Sequence, residues 1–407
     1  MTLTTTRIAW RNLWRHPQRT FLMIATVAFG SWVILFMWGL VDGFFGSMTQ
    51  AQVSQNQGNF QIRAVGYADD PIPTNGLTTE QVTSAQDAIG DLRIRAMAPR
   101  LEAFGMLRSA YATDGVSIRG VDLVKEQRVT TLQETLSAGR YLASVGEILL
   151  STEMAEDLDV RVGERVVLLA SGEGGTASQA FTTVGLFAST LIELQRVAMI
   201  PIEDARVLTG WNGATAIAVG LPPGASTTRA VHQARERLVS QPRLEVADYY
   251  ALNPMAKLII QGSVIKMVPF VIMISLLVGF GVANTTFYSV LERTREFGVM
   301  TAVGMSRKQL ARVVLLESVF VSAIGFAVGG GIGYGSLIYM ARVGLDFGKL
   351  LGDFGGDLGM PTVIYASTSG LYWLAAFSVV VFTALVAAWY PARRANRLEP
   401  VTAIREG

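Results

Sequence analysis

Four long apolar runs constrain the fold of this chain more than any other feature of its sequence. They are TFLMIATVAFGSWVILFMWGLV, MVPFVIMISLLVGFGVANTTFYSVL, VVLLESVFVSAIGFAVGGGIGYGSLIYM and YASTSGLYWLAAFSVVVFTALVAAWY. Each is long enough to cross a hydrocarbon layer of about 30 Å as an α-helix. Only 16% of the 407 residues are charged, which also favours a membrane protein. The sequence therefore predicts four transmembrane helices, at residues 20–45, 253–291, 313–340 and 365–390. The range 253–291 includes a stalk that precedes the second span.

Basic residues flank these runs unevenly. Residues 1–19, an amphipathic segment, contain four Arg and no acidic residue, and Arg and Lys are also frequent in residues 292–312 and 391–407. Short segments rich in Lys and Arg stay in the cytoplasm. We therefore expect both termini and the 292–312 segment to be cytoplasmic, and the loop 341–364 and the long segment 46–252 to lie outside. A signal peptide is the alternative for the first run, but the apolar core of such a peptide is usually about 7 to 15 residues long.

The segment 46–252 alternates strand-like and helix-like stretches. ERVVLLA and TAIAVGL are typical of strands, whereas TTEQVTSAQDAIGDL, after a Thr cap, and STTRAVHQARERLVSQ are typical of helices. The expected fold is a mixed α+β extracytoplasmic domain inserted between helices 1 and 2. The Gly-rich stretch Ser171 to Ser178 joins two predicted strands and is expected to be a hairpin tip.

Charged residues are concentrated in LERTREFGVMTAVGMSRKQL, Leu291 to Leu310, between the second and third apolar runs. Glu292 and Glu296 have helical i, i+4 spacing, as have Arg293 and Phe297. We expect the helix to break at Gly298 and a second amphipathic helix to begin after a Ser306 cap. This pattern predicts a short helix across the inner membrane face that offers a mixed-charge surface to another protein. Composition alone leaves a solvated basic loop as the alternative.

Several classes of function are excluded by the composition. The chain has no Cys, so disulfides, thiolate chemistry and Cys-based zinc sites are excluded. Its net charge is +2 and its Arg residues lie beside apolar runs, which argues against nucleic-acid binding. No G-x-x-x-x-G-K-[ST] motif occurs, so there is no phosphate-binding loop. We predict no catalytic residue, metal site or cofactor site in this chain.

A few residues inside the predicted spans need separate interpretation. Glu317 is the main intramembrane charge, and we expect it to pair with a nearby Arg rather than to act in transport. Asn284, Thr285 and Thr286 could bond to another helix or to their own helix. Five glycines of the third run are expected to allow close helix contact; these are Gly329, Gly330, Gly331, Gly333 and Gly335.

Four stretches resemble the MacB and FtsX superfamily of permeases, also called type VII ABC transporters. They are IAWRNLWRHPQRTFLMIATVAFG, GRYLASVGEILLSTEMAEDLDVRVGERVVLLA, ANTTFYSVLERTREFGVMTAVGMSRKQLARVVLLES and WYPARRANRLEPVTAIREG. Because they lie at the beginning, in the middle and at the end, the resemblance covers nearly the whole chain. It implies a multi-pass protein of the bacterial inner membrane with a two-lobed periplasmic domain. One lobe would comprise residues 46–115 and 215–252, and the other residues 116–214.

The resemblance also implies partners. Family members work as two permease copies, identical or different, with two ABC ATPase subunits that bind ATP and Mg, and here the ATPase is expected on a separate polypeptide. The loop after the second helix would be the coupling helix. Its expected ATPase contacts are Glu292, Arg293, Arg295, Glu296, Phe297, Gly298, Ala302, Gly304, Ser306, Arg307 and Gln309. Pro391, Arg393, Arg394 and Pro400 are expected to contact the ATPase or lipid headgroups.

The implied mechanism is mechanotransmission, in which ATPase closure pushes on the coupling helix and moves the periplasmic domain. By size and topology the chain is similar to the LolC and LolE type, so lipoprotein release from the inner membrane is the first expectation, with a periplasmic carrier or adaptor as a further partner. MacB-like export of a peptide, lipid or small hydrophobic compound is the alternative, which the MacB-like coupling sequence favours. A regulatory or signalling permease that acts on an external partner also stays open, as does a membrane-anchored binding domain without a motor. The stretch Ser171 to Ser178 is shorter than the LolC hook, which puts carrier docking there in doubt.

Overall fold

The computed structural model of the protein describes residues 2–172, 175–189, 191–346 and 363–395. These residues form two compact units. One comprises residues up to 46, residues 259–346 and residues from 363, and the other comprises residues 47–258. We call the first the membrane unit and the second the α/β domain.

Helices occur in both units. In chain order they are α1 (Thr2–Leu13), α2 (Pro17–Ala51), α3 (Thr79–Ile89), α4 (Glu126–Val129), α5 (Thr152–Asp157), α6 (Ile192–Gln195), α7 (Ile202–Thr209), α8 (Thr227–Arg237), α9 (Tyr249–Leu252), α10 (Pro254–Glu292), α11 (Thr294–Ala302), α12 (Arg307–Val343) and α13 (Leu371–Ala395). A π-helical segment, Gln52–Gln57, continues α2, and short 3-10 helices span Pro73–Asn75 and Leu132–Thr135.

The strands are β1 (Phe60–Ala64), β2 (Ala96–Arg108), β3 (Thr113–Val121), β4 (Leu136–Gly139), β5 (Glu147–Ser151), β6 (Arg165–Gly172), β7 (Gly175–Phe187), β8 (Val197–Pro201), β9 (Ala216–Gly220), β10 (Leu244–Asp248), β11 (Leu345–Asp346) and β12 (Val363–Ile364). The first ten form one sheet in the α/β domain, and β11 pairs with β12 in the membrane unit.

Four helices in the described ranges are long and apolar enough to cross a membrane. They span Pro17–Gln57, Pro254–Glu292, Arg307–Val343 and Trp373–Arg393. At about 1.5 Å per residue, α10 is about 60 Å long, roughly twice the hydrocarbon thickness. The prediction of four membrane-spanning helices and a mixed α/β domain is confirmed at this level.

Glycines in α12 allow close packing within the membrane unit. A Cβ on Gly329 would lie 2.0 Å from the carbonyl oxygen of Ala28 in α2, and one on Gly330 would lie 2.9 Å from the Trp373 ring. By contrast, a Cβ on Gly331 or Gly335 would meet no atom of the described residues within 4 Å. Within this chain, Gly329 and Gly330 make the expected close contacts, whereas Gly331 and Gly335 lie on another face of α12.

The sheet of the α/β domain is partly open and partly closed. The open part has the order β10-β1-β9-β2. From β2 the pairing runs through β3, β8, β5 and β7, and β6 closes the circuit because it pairs with both β7 and β2. The pairs β3–β8 and β5–β7 are parallel, and the other pairs are antiparallel.

Two main hydrophobic clusters lie in this domain. One includes Phe60, Ile89 and Val231 and packs the open part of the sheet against α3 and α8. The other includes Leu107 and Phe181 and fills the closed circuit together with residues of α5 and α7. Strand β2 contributes to both parts, because it pairs with β9 over Ala96–Arg100 and with β6 over Gly105–Arg108.

Candidate functional site

The charged stretch between the second and third apolar runs folds into a short helix, α11, bounded by two backbone turns. Helix α10 ends at Glu292, and Arg293, with φ −100° and ψ 17°, leaves the helical conformation. At the other end, the Met305 amide donates to the Met300 carbonyl at 3.0 Å and the Gly304 amide donates to the Thr301 carbonyl at 3.1 Å. These two bonds form a Schellman motif, whose left-handed position is Gly304 with φ +104°.

Helix α12 then begins with the expected cap. The Gln309 amide donates to the Ser306 hydroxyl at 3.3 Å, and the Ser306 amide donates to the Gln309 side-chain oxygen at 2.8 Å. This reciprocal pair is a capping box. The predicted Ser306 cap is confirmed.

The predicted break at Gly298 is wrong. Gly298 is a buried residue inside α11, and the chain turns at Gly304 instead. Glycine is favoured at a helix end that needs a positive φ. Because glycine has no side chain, it can also lie inside a helix at a position where space is short. The helix before it was expected to continue to Phe297, but α10 ends five residues earlier, at Glu292.

One face of α11 is packed against the membrane helices. Phe297 is buried together with Val290 of α10, Leu310 and Val314 of α12, and Ala392 of α13. Short α-helices are held mainly by tertiary packing of an apolar face. Helix α11 is therefore fastened to three of the long helices at once.

Arg293 links the start of α11 to α12. Its side chain is buried, and it donates to the carboxylates of Glu296 at 3.1 Å and Glu317 at 3.1 Å. Its guanidinium also lies over the Phe297 ring, 5.2 Å from the centroid, which agrees with the i, i+4 spacing. Glu317 in turn accepts from the Asn12 amide at 2.7 Å. The expected pairing of Glu317 with an Arg is confirmed, and the partner is Arg293.

Two further ion pairs join α11 and the end of α10 to the N-terminal part of the chain. Arg15 lies 3.0 Å from the Glu296 carboxylate, and Arg19 lies 2.9 Å from the Glu292 carboxylate. Single exposed ion pairs contribute little, about 0 to 1 kcal/mol. Here Arg15, Glu296, Arg293 and Glu317 form one continuous network, and Arg19–Glu292 is a separate pair beside it. Glu292, Arg293 and Glu296 therefore help to hold α11 and the end of α10 in place.

The opposite face of α11 is exposed. Arg295, Val299, Ala302 and Val303 follow the spacing i, i+4, i+7, i+8 of a single helix face. Val299 is 50% exposed and Val303 is 84% exposed. Three further predicted residues are exposed at the following turn, namely Gly304, Ser306 and Arg307. We call this surface, with Arg295, Val299, Ala302, Val303, Gly304, Ser306 and Arg307, the outer face.

The structure thus divides the predicted contact residues into three sets. Five belong to the outer face, namely Arg295, Ala302, Gly304, Ser306 and Arg307, whereas Arg293, Phe297 and Gly298 are buried. The remaining three, Glu292, Glu296 and Gln309, take part in the ion pairs and the capping box described above. Sequence reasoning missed Val299 and Val303, although their helical spacing from Arg295 was available.

It also missed the internal partners Asn12, Arg15 and Arg19. The signal for Arg15 and Arg19 was their i, i+4 spacing, which matches that of Glu292 and Glu296.

The predicted C-terminal contact lies at the end of α13. Pro391 is buried, and Arg393 is exposed with its guanidinium 4.7 Å from the centroid of the Trp389 ring. The Arg394 side chain and Pro400 lie outside the described residues.

A hydrogen bond within α10 decides between the two alternatives for Thr285. The Thr285 hydroxyl donates to the Gly281 carbonyl of the same helix at 2.8 Å. This residue bonds within its own helix, which is the usual behaviour of Thr in membrane helices.

Comparison with protein families gives two matches that together cover most of the chain. Residues 20–237 match the family described as MacB-like periplasmic core domain. Residues 269–400 match the family described as FtsX-like permease C-terminal. The first match alone covers more than half of the 407 residues.

Individual relatives are ABC transporter proteins. The chain is 25% identical to a protein of Hyphomonas neptunium called macrolide export ATP-binding/permease protein MacB, over 98% of this chain and 60% of the relative. It is 34% identical to the pyoverdine export ATP-binding/permease protein PvdT of Pseudomonas entomophila, over 35% of this chain and 19% of the relative. The chain thus spans about 60% of the length of the Hyphomonas relative.

Among solved structures, the periplasmic region of MacB from Actinobacillus actinomycetemcomitans is similar to part of the chain. The sequence identity is 13%, the TM-score is 0.37, and the match covers 49% of this chain and 94% of that one.

Proposed function

This chain belongs to the MacB/FtsX superfamily of ABC transporter permeases, and from that premise we propose that it carries motion from a partner ATPase to its α/β domain. Permeases of this superfamily work with ABC ATPase partners. The observation that carries the proposal is the outer face of α11, an exposed helix face whose opposite side is fixed to the long helices. A force applied to the exposed face of such a helix is opposed by the packing on its other side, so the helix does not bend away.

The proposed topology follows the basic flanks. Helix α11 and both termini lie in the cytoplasm, and the α/β domain, between α2 and α10 in the sequence, lies outside. Two ATPase copies and a second permease copy complete the assembly, and ATP and Mg bind to the ATPase.

The docking surface is proposed to be the outer face rather than the Glu292, Arg293 and Glu296 cluster. Apolar Val299 and Val303, flanked by Arg295 and Arg307, have the make-up of an interface centre with a charged rim. The ion-pair cluster beneath then passes displacement from α11 to α12 through Arg293 and Glu317.

For the cargo, we propose export of a peptide or small hydrophobic compound. The names of two relatives support this class, since one is called a macrolide exporter and the other a pyoverdine exporter. Lipoprotein release ranks second. The strands β6 and β7 pair as far as Gly172 and Gly175, which leaves two residues to connect them, far fewer than a carrier-binding hook would need.

The test is co-purification of the detergent-solubilised chain with bound proteins identified by mass spectrometry. The variant Val303→Asp puts a charge at the centre of the outer face without touching the ion-pair cluster. We expect an ATPase with a phosphate-binding loop to co-purify with the wild type and to be lost, at least tenfold, from the variant, since burying an unpaired carboxylate costs more than about 1.4 kcal/mol.

The matched control is Val239→Asp, because this Val of the α/β domain is 77% exposed, close to the 84% of Val303. It should retain the ATPase. Equal ATPase recovery with Val303→Asp and wild type would remove the outer face as the docking surface. If no ATPase is recovered with the wild type either, the transmission proposal fails.

A further inference from the structure

Helix α2 ends in a π-helical segment, Gln52–Gln57, that belongs to the α/β domain and has no part in the coupling site. The Gly58 amide donates to the Val53 carbonyl at 3.0 Å, which is the i to i+5 closure of a π-turn. Gly58 has φ +74°, and a Cβ there would lie 2.9 Å from the Val219 carbonyl oxygen. Because π-helices are rare and tend to occur at functional sites, the contacts that hold this segment in place bear on function.

Arg100 supplies the first of these contacts. It lies on β2 and is fully buried, and its guanidinium donates twice to the Glu126 carboxylate, at 3.0 and 2.6 Å. The remaining Nη1 donates to the Asn56 carbonyl at 2.6 Å. Carbonyls near a helix C-terminus carry partial negative charge, so a guanidinium held by a carboxylate is a strong donor for this end of the helix.

The Asn56 side chain is held from both sides. Its oxygen accepts from the Arg119 guanidinium at 2.8 Å, and its amide donates to Gln52 at 3.0 Å. Gln52 in turn donates to the Glu193 carboxylate at 2.9 Å. The end of α2 is thus bonded to β3 through Arg119 and to α6 through Glu193.

The segment is also bonded to the point where the chain leaves the domain. The Asn253 amide donates to the Gln57 side-chain oxygen at 2.8 Å. Asn253 directly precedes Pro254, the first residue of α10. The entry of the chain into the domain and its exit are therefore joined by one side-chain bond.

We propose that Gln52–Gln57 is a rigid joint at which the ends of α2 and α10 are held together, with Arg100 and Asn253 as its positioning residues. A flexible linker would absorb displacement of a helix by changing its backbone angles. This segment instead bonds to three elements, so displacement at either helix end reaches β2 through Arg100. The force itself rests on the proposed function, in which a partner ATPase supplies it. The rigidity of the joint does not depend on that function.

The first test measures rigidity in the full-length chain, in detergent, by hydrogen exchange of the amides at residues 53–58. The variant Gln57→Leu removes the acceptor for Asn253, whereas Gln57→Glu keeps one. We expect slow exchange in the wild type and in Gln57→Glu, and exchange about fivefold to tenfold faster in Gln57→Leu, with an unchanged unfolding temperature. The substitution Asn253→Ala should match Gln57→Leu, and Asn212→Ala, at an exposed loop position, should match the wild type.

Fast exchange of these amides in the wild type, or the same rate in Gln57→Leu, would overturn the joint. An equal fall in unfolding temperature in Gln57→Leu and Gln57→Glu would also overturn the joint. The destabilisation would then not depend on the acceptor for Asn253.

The second test measures transmission. Since the chain has no Cys, spin labels can be attached at introduced cysteines, Val328→Cys in α12 and Tyr111→Cys in the turn after β2. In the complex with the co-purified ATPase, we expect a nucleotide-dependent change in the distance between the labels that Gln57→Glu keeps and Gln57→Leu largely loses. The same change in both variants would overturn transmission through the joint. If no ATPase is recovered, the proposed function fails, and the exchange experiment still decides whether the joint is rigid.

Discussion

At the scale of single residues, the carboxylate of Glu147 in the α/β domain accepts several hydrogen bonds at once. It accepts from the Arg140 guanidinium, from the Ala143 amide at 2.8 Å, and from the Ser144 hydroxyl at 2.9 Å. The bond from Arg140 is the main reason that the pKa of Glu147 is lowered to about 2, with the backbone amides contributing less. These bonds fix the loop before β5.

This pKa predicts how stability depends on pH. The folded state favours the charged carboxylate, so its contribution is complete above the ordinary value of 4.5 and is lost as pH falls from there towards about 2. We expect Glu147→Gln to be less stable than wild type by about 1.5 to 3 kcal/mol near neutral pH. Unfolding of the full chain in detergent, followed by tryptophan fluorescence over this pH range, should show the difference shrinking. A difference that stays constant with pH would contradict this assignment.

At the scale of elements, the turn between α11 and α12 depends on Gly304. A side chain in the left-handed region costs about 1 to 2 kcal/mol, and the φ of Gly304 is +104°. Gly304→Ala should therefore weaken the turn even though a Cβ there would have no neighbour within 4 Å in the part of the chain that the structure describes. The control is Gly335→Ala, because Gly335 lies within α12 with equal space around it, and Ala favours a helix over Gly.

Hydrogen exchange of the Gly304 and Met305 amides measures this effect. We expect about fivefold to thirtyfold faster exchange in Gly304→Ala and no acceleration in Gly335→Ala. The same rates in both variants would show that the backbone conformation of Gly304 does not hold the turn.

Local signals in the sequence predicted the elements better than the breaks between them. The Thr78 cap of α3 and the Ser306 cap of α12 were both expected, because a hydroxyl followed by Gln three residues later satisfies the first amides of a helix. The choice between Gly298 and Gly304 as the break was wrong because both glycines allow a turn. What distinguishes them is burial and backbone conformation, since Gly298 is buried within α11 whereas Gly304 is exposed and has φ +104°.

At the scale of the whole molecule, the features that the sequence did not predict are those made by distant residues. The pairing of Arg15 with Glu296 joins residues 281 positions apart, and the closed circuit of six strands depends on β6 returning to β2. Hydrophobic runs predicted four spans because chain length and apolarity alone decide whether a helix can cross a bilayer. No such local quantity decides which strand pairs with which.

The packing of the membrane unit gives a prediction at the same scale, because two nearby glycines of α12 differ only in what surrounds them. At Gly329 a Cβ would overlap the Ala28 backbone at 2.0 Å, so Gly329→Ala must push α2 and α12 apart. At Gly331 a Cβ would lie more than 4 Å from every other described residue it could meet, so Gly331→Ala leaves the packing intact and removes the cost of a helical glycine, about 1 kcal/mol. Overpacking of this kind costs about 1 to 3 kcal/mol.

We therefore expect the thermal unfolding midpoint of the detergent-solubilised chain to fall for Gly329→Ala and to stay or rise for Gly331→Ala. Cross-linking of cysteines introduced at Leu35 of α2 and Gly333 of α12 reports the helix separation directly, since a Cβ on Gly333 would lie 3.5 Å from that of Leu35. The yield of this cross-link should decline in Gly329→Ala and stay unchanged in Gly331→Ala. Equal behaviour of the two variants would mean that the glycines of α12 serve something other than close contact with α2.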